Sequence, residues 1–443
     1  MVALDQGWFD RAAFRVIHAL CGSRREPSEG ANDVAETAYS PGMTTGNTTP
    51  WSRPLSGRDP SEAHRASTPL ELFFDLTFVV AIASAAAQLH HGLAEGHWNA
   101  LGGYFVAFFG IWWAWMNYSW FASAYDTNDI LWRVLTLVMM AGVLVLAAGV
   151  PRAFNESRFG VLVLGYAIMR TPMVIQWLRV ARDHPARART ARTYAIGTGV
   201  LQLAWMSWAL VLGQTGGSVT LLVLIVLEVL VPPIAERNGA TPWHPEHMVE
   251  RYSLMTIIVL GEVLLSTTGA ITVVLDESSL SGQLVMTVIG GLLIVFCLWW
   301  FYFKHSHAER MEEEGEHSTF VWAYGHYLLY AAIAAVGAAL GVCIDVIEEV
   351  AHVSSRSAAL TLGVPVAAYV LLVGYLQARD VQSLQSVTRA GATAVAVLLV
   401  CAAGWETGLT VLLVGVVLAV ALGVYLAQRD SQRPSTSEAR PNG

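Results

Sequence analysis

Lysine is nearly missing from this chain. Of 443 residues only Lys304 is one, so arginine carries almost the whole basic set of 26 side chains. Charge of either sign is scarce: Asp, Glu, Lys and Arg make up 14%, where soluble globular chains hold about 25%. The net charge of −8 and the lack of a basic stripe argue against nucleic acid as a partner. The four cysteines, Cys21, Cys297, Cys343 and Cys401, are scattered and show no CxxC spacing, which argues against a zinc site or a disulfide framework. Three of them sit in apolar runs and read as small hydrophobes. There is no P-loop, no GxSxG and no HExxH. The chain is therefore read as not an enzyme, and no cofactor or metal is expected.

Apolar residues are abundant, at 54%, with a mean hydropathy of +0.48 and 16 Trp. A soluble chain of this length would form two or three domains, but no soluble fold hides so much apolar surface. An all-α integral membrane protein is expected. A crossing needs about 20 apolar residues, and twelve such runs can be marked, at 71–90, 98–121, 132–150, 159–178, 194–212, 218–234, 250–274, 282–303, 319–343, 358–377, 389–403 and 408–427. They are continuous rather than alternating, so they read as helices.

Residues 1–69 differ from the rest. Residues 22–69 are rich in Ser, Thr, Pro, Gly and Arg without a period, and read as a disordered tail. Within 7–21, Trp8, Ala12, Val16 and Leu20 recur every fourth residue, which allows a short amphipathic helix on the membrane surface. The expected organisation is a cytoplasmic tail to residue 69, a six-helix half at 70–234, a second at 235–427 and a cytoplasmic tail at 428–443. Arginine crowds alternate loops (Arg133; Arg179 to Arg192; Arg237 and Arg251; Arg379 and Arg389), whereas the intervening loops hold Arg152, Arg158 and Arg356. By the positive-inside rule both termini are cytoplasmic. Glu71-Leu-Phe-Phe-Asp75 and Glu250-Arg251 open spans one and seven, and Trp112-Trp113-Ala-Trp115 and Trp299-Trp300-Phe-Tyr302 lie in spans two and eight. That likeness suggests a parallel 6+6 repeat.

An ionisable group at a helix centre costs about 2.5–3.5 kcal/mol on insertion scales. The candidates are Asp75, Arg170, Glu228, Glu262 and His326, with Glu262 deepest and the others in the inner half. Together they are read as lining one cavity open to the cytoplasm, with Arg170 held by Asp75 or Glu262. Glu71, Glu250 and Arg251 are read as helix-end residues that snorkel cheaply. Glu71 and Asp75 share a helix face, as do Arg251 and Glu262, and Gly261 is expected to admit a neighbouring helix. Pro232-Pro233 suggests a break near a site. For each charge the competing reading is a structural ion pair, and for His326, flanked by Tyr324, Tyr327 and Tyr330, a hydrogen-bonded core histidine. The loop 304–317 holds His305, His307, His317, Glu309, Glu312, Glu313 and Glu314; a solvated charged loop outweighs a metal site. Gly337 and Gly341 form a helix-packing face. Trp98, Trp132 and Trp243 read as interfacial anchors.

The run ELFFDLTFVVAI (Glu71 to Ile82), the WWAW of Trp112 to Trp115, ERYSLMTIIVLGE (Glu250 to Glu262) and LWWFYF (Leu298 to Phe303) resemble the bacterial low temperature requirement A family over residues 70–427. The resemblance implies a polytopic protein of the bacterial plasma membrane and singles out Glu71, Phe74, Asp75, Glu250, Arg251, Gly261 and Glu262. It implies no chemistry. Where the family places an acid after the second aromatic cluster, Lys304-His305 stands here. The expected function is a secondary transporter or ion/proton pathway for an unknown small solute or ion, with the lipid bilayer as its other partner. Two alternatives remain: a structural or stress-sensing membrane protein without turnover, and a lipid-modifying enzyme using Asp75, Glu262 and His326 as acid–base groups.

Overall fold

The computed structural model describes residues 50–431 apart from 61, 63, 64, 157, 213–217, 277–280, 305–315, 382 and 383. The expected helix at 7–21, the tail up to residue 49, the His/Glu loop over 305–315 and the tail from 432 lie outside the described residues.

Among the described residues there are twelve long α-helices and no strand. They are α1 (Pro69–Ala94), α2 (Ala100–Tyr125), α3 (Ile130–Glu156), α4 (Gly160–Asp183), α5 (Ala188–Ser207), α6 (Ser218–Glu236), α7 (Pro245–Asp276), α8 (Gly282–Phe303), α9 (Glu316–Ile347), α10 (Ser355–Val381), α11 (Leu384–Ala402) and α12 (Thr407–Ser431). Each expected span corresponds to one of them, and the protein is an all-α membrane protein. Eleven are long and apolar enough to cross a bilayer. The twelfth, α2, falls short because its Trp and Tyr carry polar atoms, yet every side chain from Ile111 to Met116 is buried. A helix apolar all round belongs to the core, and α2 sits there. Trp132, expected as an anchor, is likewise a core residue, 1% exposed and stacked on Phe121.

Local chemistry sets the start of α1. Thr68 accepts from the Glu71 amide, Glu71 Oε2 accepts from the Thr68 amide at 2.8 Å, and Pro69 occupies the first turn, a reciprocal cap. Pro232 and Pro233 were expected to break span six, but α6 continues through both to Glu236. Gly337 and Gly341 behave as a packing face. A Cβ on Gly337 would lie 3.0 Å from the Glu262 backbone of α7, and one on Gly341 would meet the His90 ring of α1 at 2.8 Å. Gly261, by contrast, has nothing within 4 Å of its Cβ position. The close approach to α7 is therefore made by the glycine of α9, not by the one beside Glu262.

The helix pairings of the first half recur in the second. The contacts α1–α2, α1–α3, α3–α4, α4–α5 and α5–α6 are matched by α7–α8, α7–α9, α9–α10, α10–α11 and α11–α12, an offset of six helices. The extensive α8–α12 contact has no counterpart of like extent between α2 and α6, and α1 joins the halves by touching both α7 and α9.

Residues 50–68 correct the reading of a disordered tail that reaches residue 69. They form an irregular strap over one end of the bundle. The amide of Arg53 donates to Asp129 Oδ2 at 2.8 Å, that of Leu55 to Asp183 at 3.1 Å and that of Arg58 to the Ala124 carbonyl at 3.0 Å. Arg65, 6% exposed, donates to the carbonyls of Ala122, at 2.8 Å, and Ser123. Leu55 of the strap is fully buried. The described residues of this stretch hold no helix or strand; their order comes from helix-end carbonyls and carboxylates that satisfy the strap's amides.

Asp126, in the α2–α3 loop under the strap, gives a test. Burial pushes its carboxyl up to about 6, and the negative charge of Glu71 adds to the effect. The folded state thus holds the proton more tightly than the unfolded chain, so this stability is present at pH 4 and is lost as pH rises to 6. Asp126→Asn keeps an acceptor for the Asn128 amide. We expect it to raise stability above pH 6 by about 1–3 kcal/mol and to leave pH 4 unchanged. Thermal unfolding in detergent from pH 4 to 8 would show this; identical pH profiles for the two proteins would refute it.

Candidate functional site

Two of the buried charge networks among the described residues lie on different sides of α2; a further buried pair, Arg179–Asp129 at 2.8 Å, lies beside the strap. The first joins α1 to α7. Glu71 and Asp75 are four residues apart on α1, and His247 and Arg251 are four apart on α7, so each pair presents one helix face. Arg251 grips Asp75 through Nε at 2.9 Å and Nη2 at 2.5 Å. Its Nη1 lies 3.3 Å from Glu71 Oε1, which is also 3.2 Å from His247 Nε2 and 3.7 Å from Arg65. Trp115 Nε1 donates to Asp75 at 2.7 Å. The side chains of Glu71, Asp75, His247 and Arg251 are at most 1% exposed. The reading of Glu71 and Arg251 as snorkelling helix-end groups is therefore overturned: the strap and α1 shut water away from them. Glu250 faces the strap and accepts the Ser67 amide at 3.1 Å. Phe74, between the two acids, is fully buried with its ring centroid 3.8 Å from that of Tyr118.

The second network ties α2, α4, α5 and α6 together. Glu228 Oε2 accepts from Arg170 Nη2 at 2.6 Å and from Trp113 Nε1 at 3.0 Å, while Oε1 accepts from Trp205 Nε1 at 3.0 Å. Arg170 Nη1 donates to Tyr166 Oη at 2.9 Å. Arg170 was expected to be held by Asp75 or Glu262. Asp75 is instead taken by Arg251, and Glu228 comes within reach because α2, α4 and α6 converge. Trp113 and Trp115 are two residues apart, so their indoles leave α2 in different directions and supply one donor to each network. These indoles and His247 were missed at the level of sequence. The available signal was that a buried indole N–H usually finds an acceptor; Trp113 and Trp115 each find a carboxylate, whereas Trp112 Nε1 has none among the described residues.

The remaining candidates stand apart, so the five do not line one cavity. His326 is fully buried. Its Nδ1 donates to the Trp322 carbonyl at 2.8 Å, and its Nε2 lies 3.1 Å from Tyr302 Oη. That is a hydrogen-bonded core histidine. Glu262 is half-buried on α7 where α9 crosses at Gly337. Among the described residues it has no ion pair or hydrogen bond. No group of three potential metal ligands occurs among the described residues. At the end of α8, Lys304 lies 4.0 Å from the centre of the Tyr425 ring; burial and then the charge of Arg389 bring its ammonium down to about 8.

Residues 66–427 match the family described as bacterial low temperature requirement A protein (LtrA), and the chain belongs to that family. It is similar to the uncharacterized protein RA0937 of Rhizobium meliloti (strain 1021), with 26% identity over 317 residues that cover 66% of this chain and 72% of that protein. No solved structure matches.

Removing one partner of a buried pair destabilises by roughly 3–5 kcal/mol, because the other charge is stranded. We expect Arg170→Met to lose that much, and Arg170→Met combined with Glu228→Gln to recover most of it. Combining Arg170→Met with Asp75→Asn should give no recovery. Melting of the purified variants in detergent checks this, and additive losses for Arg170 with Glu228 would sink the pairing.

Proposed function

We propose that this LtrA-family protein is a secondary transporter or ion/proton pathway of the bacterial plasma membrane, with Glu262 as its exchangeable carboxyl and with the strap face in the cytoplasm. One observation carries the reading. Three acids lie deep in the membrane helices; Asp75 and Glu228 are each held by an arginine and an indole, whereas Glu262 has neither among the described residues. An intramembrane carboxyl without a fixed partner is suited to take and release a proton or cation. The glycine contact at Gly337 supports the reading, since α9 packs there against the backbone and Cγ of Glu262, and a small shift would change access to the carboxyl. The arginine excess in the loops of the strap face supports its assignment to the cytoplasm.

A structural or sensing protein without turnover is the second reading, favoured by the full pairing of Asp75 and Glu228. Acid–base catalysis draws least support, because both ring nitrogens of His326 are occupied.

Two measurements test the proposal. A periplasm-dependent reporter fused after Gly404 should be active and one fused after Pro185 silent; the reverse pattern refutes the orientation. In liposomes carrying a pH-sensitive dye, solute-driven proton flux should appear with the wild type from a panel of small solutes. It should fall to the level of empty liposomes with Glu262→Gln, which retains size and fold. Full, pH-dependent flux through a folded Glu262→Gln protein removes Glu262 from the mechanism.

A further inference from the structure

The chain's single lysine, Lys304, directly follows α8, and Arg389 stands in the second turn of α11. Both are half-buried, and both line a narrow cleft at the strap face between α8, α10, α11 and α12. Packing fixes the cleft: a Cβ on Gly374 of α10 would collide with that of Ala390, so α10 and α11 meet beside Arg389. The Lys304 ammonium lies 4.0 Å from the centre of the Tyr425 ring of α12 and 5.1 Å from that of Phe301. Arg389 donates to Gln385 Oε1 at 3.2 Å. These rings and the amide orient the two cations and neutralise neither. No acid lines the cleft, and neither cation forms an ion pair among the described residues. The charge of Arg389 adds to burial in bringing the Lys304 ammonium down to about 8, so the two cations repel one another and an anion between them relieves both. Ser386, in the first turn of α11, adds a hydroxyl to the lining, and the amide end of that helix adds partial positive charge.

We infer that this cleft binds a phosphate group, held by Lys304, Arg389 and Ser386 at the N-terminal end of α11. The cleft has room of about 50 Å³, which suits a few waters or one phosphate and excludes a bulky solute. A metal ion is repelled by the two cations. A carboxylate has two oxygens for three donors, whereas a phosphate group presents three or more and bridges a point-like ammonium and a guanidinium fork. The setting also supplies phosphate. Membrane-helix ends lie at the level of the lipid headgroups, and basic pockets between membrane helices suit anionic ones. A phospholipid phosphodiester and a soluble phosphate compound share this chemistry. The inference goes beyond the transport reading and rests on it only for placing the cleft in the cytoplasmic leaflet.

Two probes titrated into the purified full chain in nonionic detergent test the binding by calorimetry. Sodium phosphate, against sodium chloride at equal ionic strength, reads a soluble source. Dihexanoyl phosphatidylglycerol below its micelle concentration, against the phosphatidylcholine of the same chain length, reads a lipid source. Saturable binding of at least one probe is expected, and the probe that binds names the source. Lys304→Gln and Arg389→Gln should each weaken it roughly ten-fold, and Lys304→Arg, which keeps the charge, by less. Arg192→Gln makes the same charge change at an exposed residue of α5, outside the cleft, and should leave binding unchanged. Each variant is compared only after its melting temperature is shown to match the wild type, and either neutral variant suffices if the other fails to fold. Absence of saturable binding of both probes, as when the loop acids Glu309 to Glu314 fill the cleft instead, overturns the inference. So does an equal loss in Arg192→Gln. Binding is read without flux, so a protein that transports nothing leaves the inference standing and fails the transport reading alone.

Discussion

A guanidinium and a carboxylate removed from water must find each other, and the Arg251–Asp75 pair meets that requirement across the two halves of the bundle. Neither group can be solvated where it lies, so α1 and α7 are bound to one another by the penalty of separation rather than by the strength of the bond itself. The rest of that end of the bundle follows. Glu71 both caps its own helix and lies against Arg251 and His247. Arg65 closes the charge balance from the strap, which in turn occupies the last carbonyls of α2.

The aromatic helix α2 serves both networks. Carboxylates buried with one arginine retain unused lone pairs, and the indoles of Trp113 and Trp115 fill part of that need. This gives a division among the deep acids. Asp75 and Glu228 are locked by multiple donors and tie helices together, while Glu262 sits half-buried on the far side of a glycine contact. In the transport reading proposed above, the first kind forms the rigid frame and Glu262 is the carboxyl that changes state.

The repeated order of helix contacts places α1 and α7, and likewise α2 and α8, in corresponding positions, yet the two halves carry different chemistry. The Trp113 and Trp115 indoles of α2 each bond a buried acid, whereas Trp299 and Trp300 of α8 are 46% and 44% exposed. Equivalent scaffolds thus carry a polar hub in one half and an apolar rim in the other.

Helix number, approximate span limits and the identity of the deep charges were legible in the sequence, because continuous apolar runs and isolated ionisable residues are local properties. The packing role of Gly337 and Gly341 was legible for the same reason. Who pairs with whom was not. Arg170 chose Glu228 over Asp75 and Glu262 because three helices distant in sequence converge there. Arg251 turned out buried because the strap covers a helix end that would otherwise be wet. The order of the strap escaped composition, since its amides find carbonyls and carboxylates on α1, α2, α4, α7 and the α2–α3 loop. Along the chain, desolvation can be read from hydropathy; the partner that offsets it is fixed in three dimensions, and only the tertiary structure decides which acid is paired and which has no partner among the described residues.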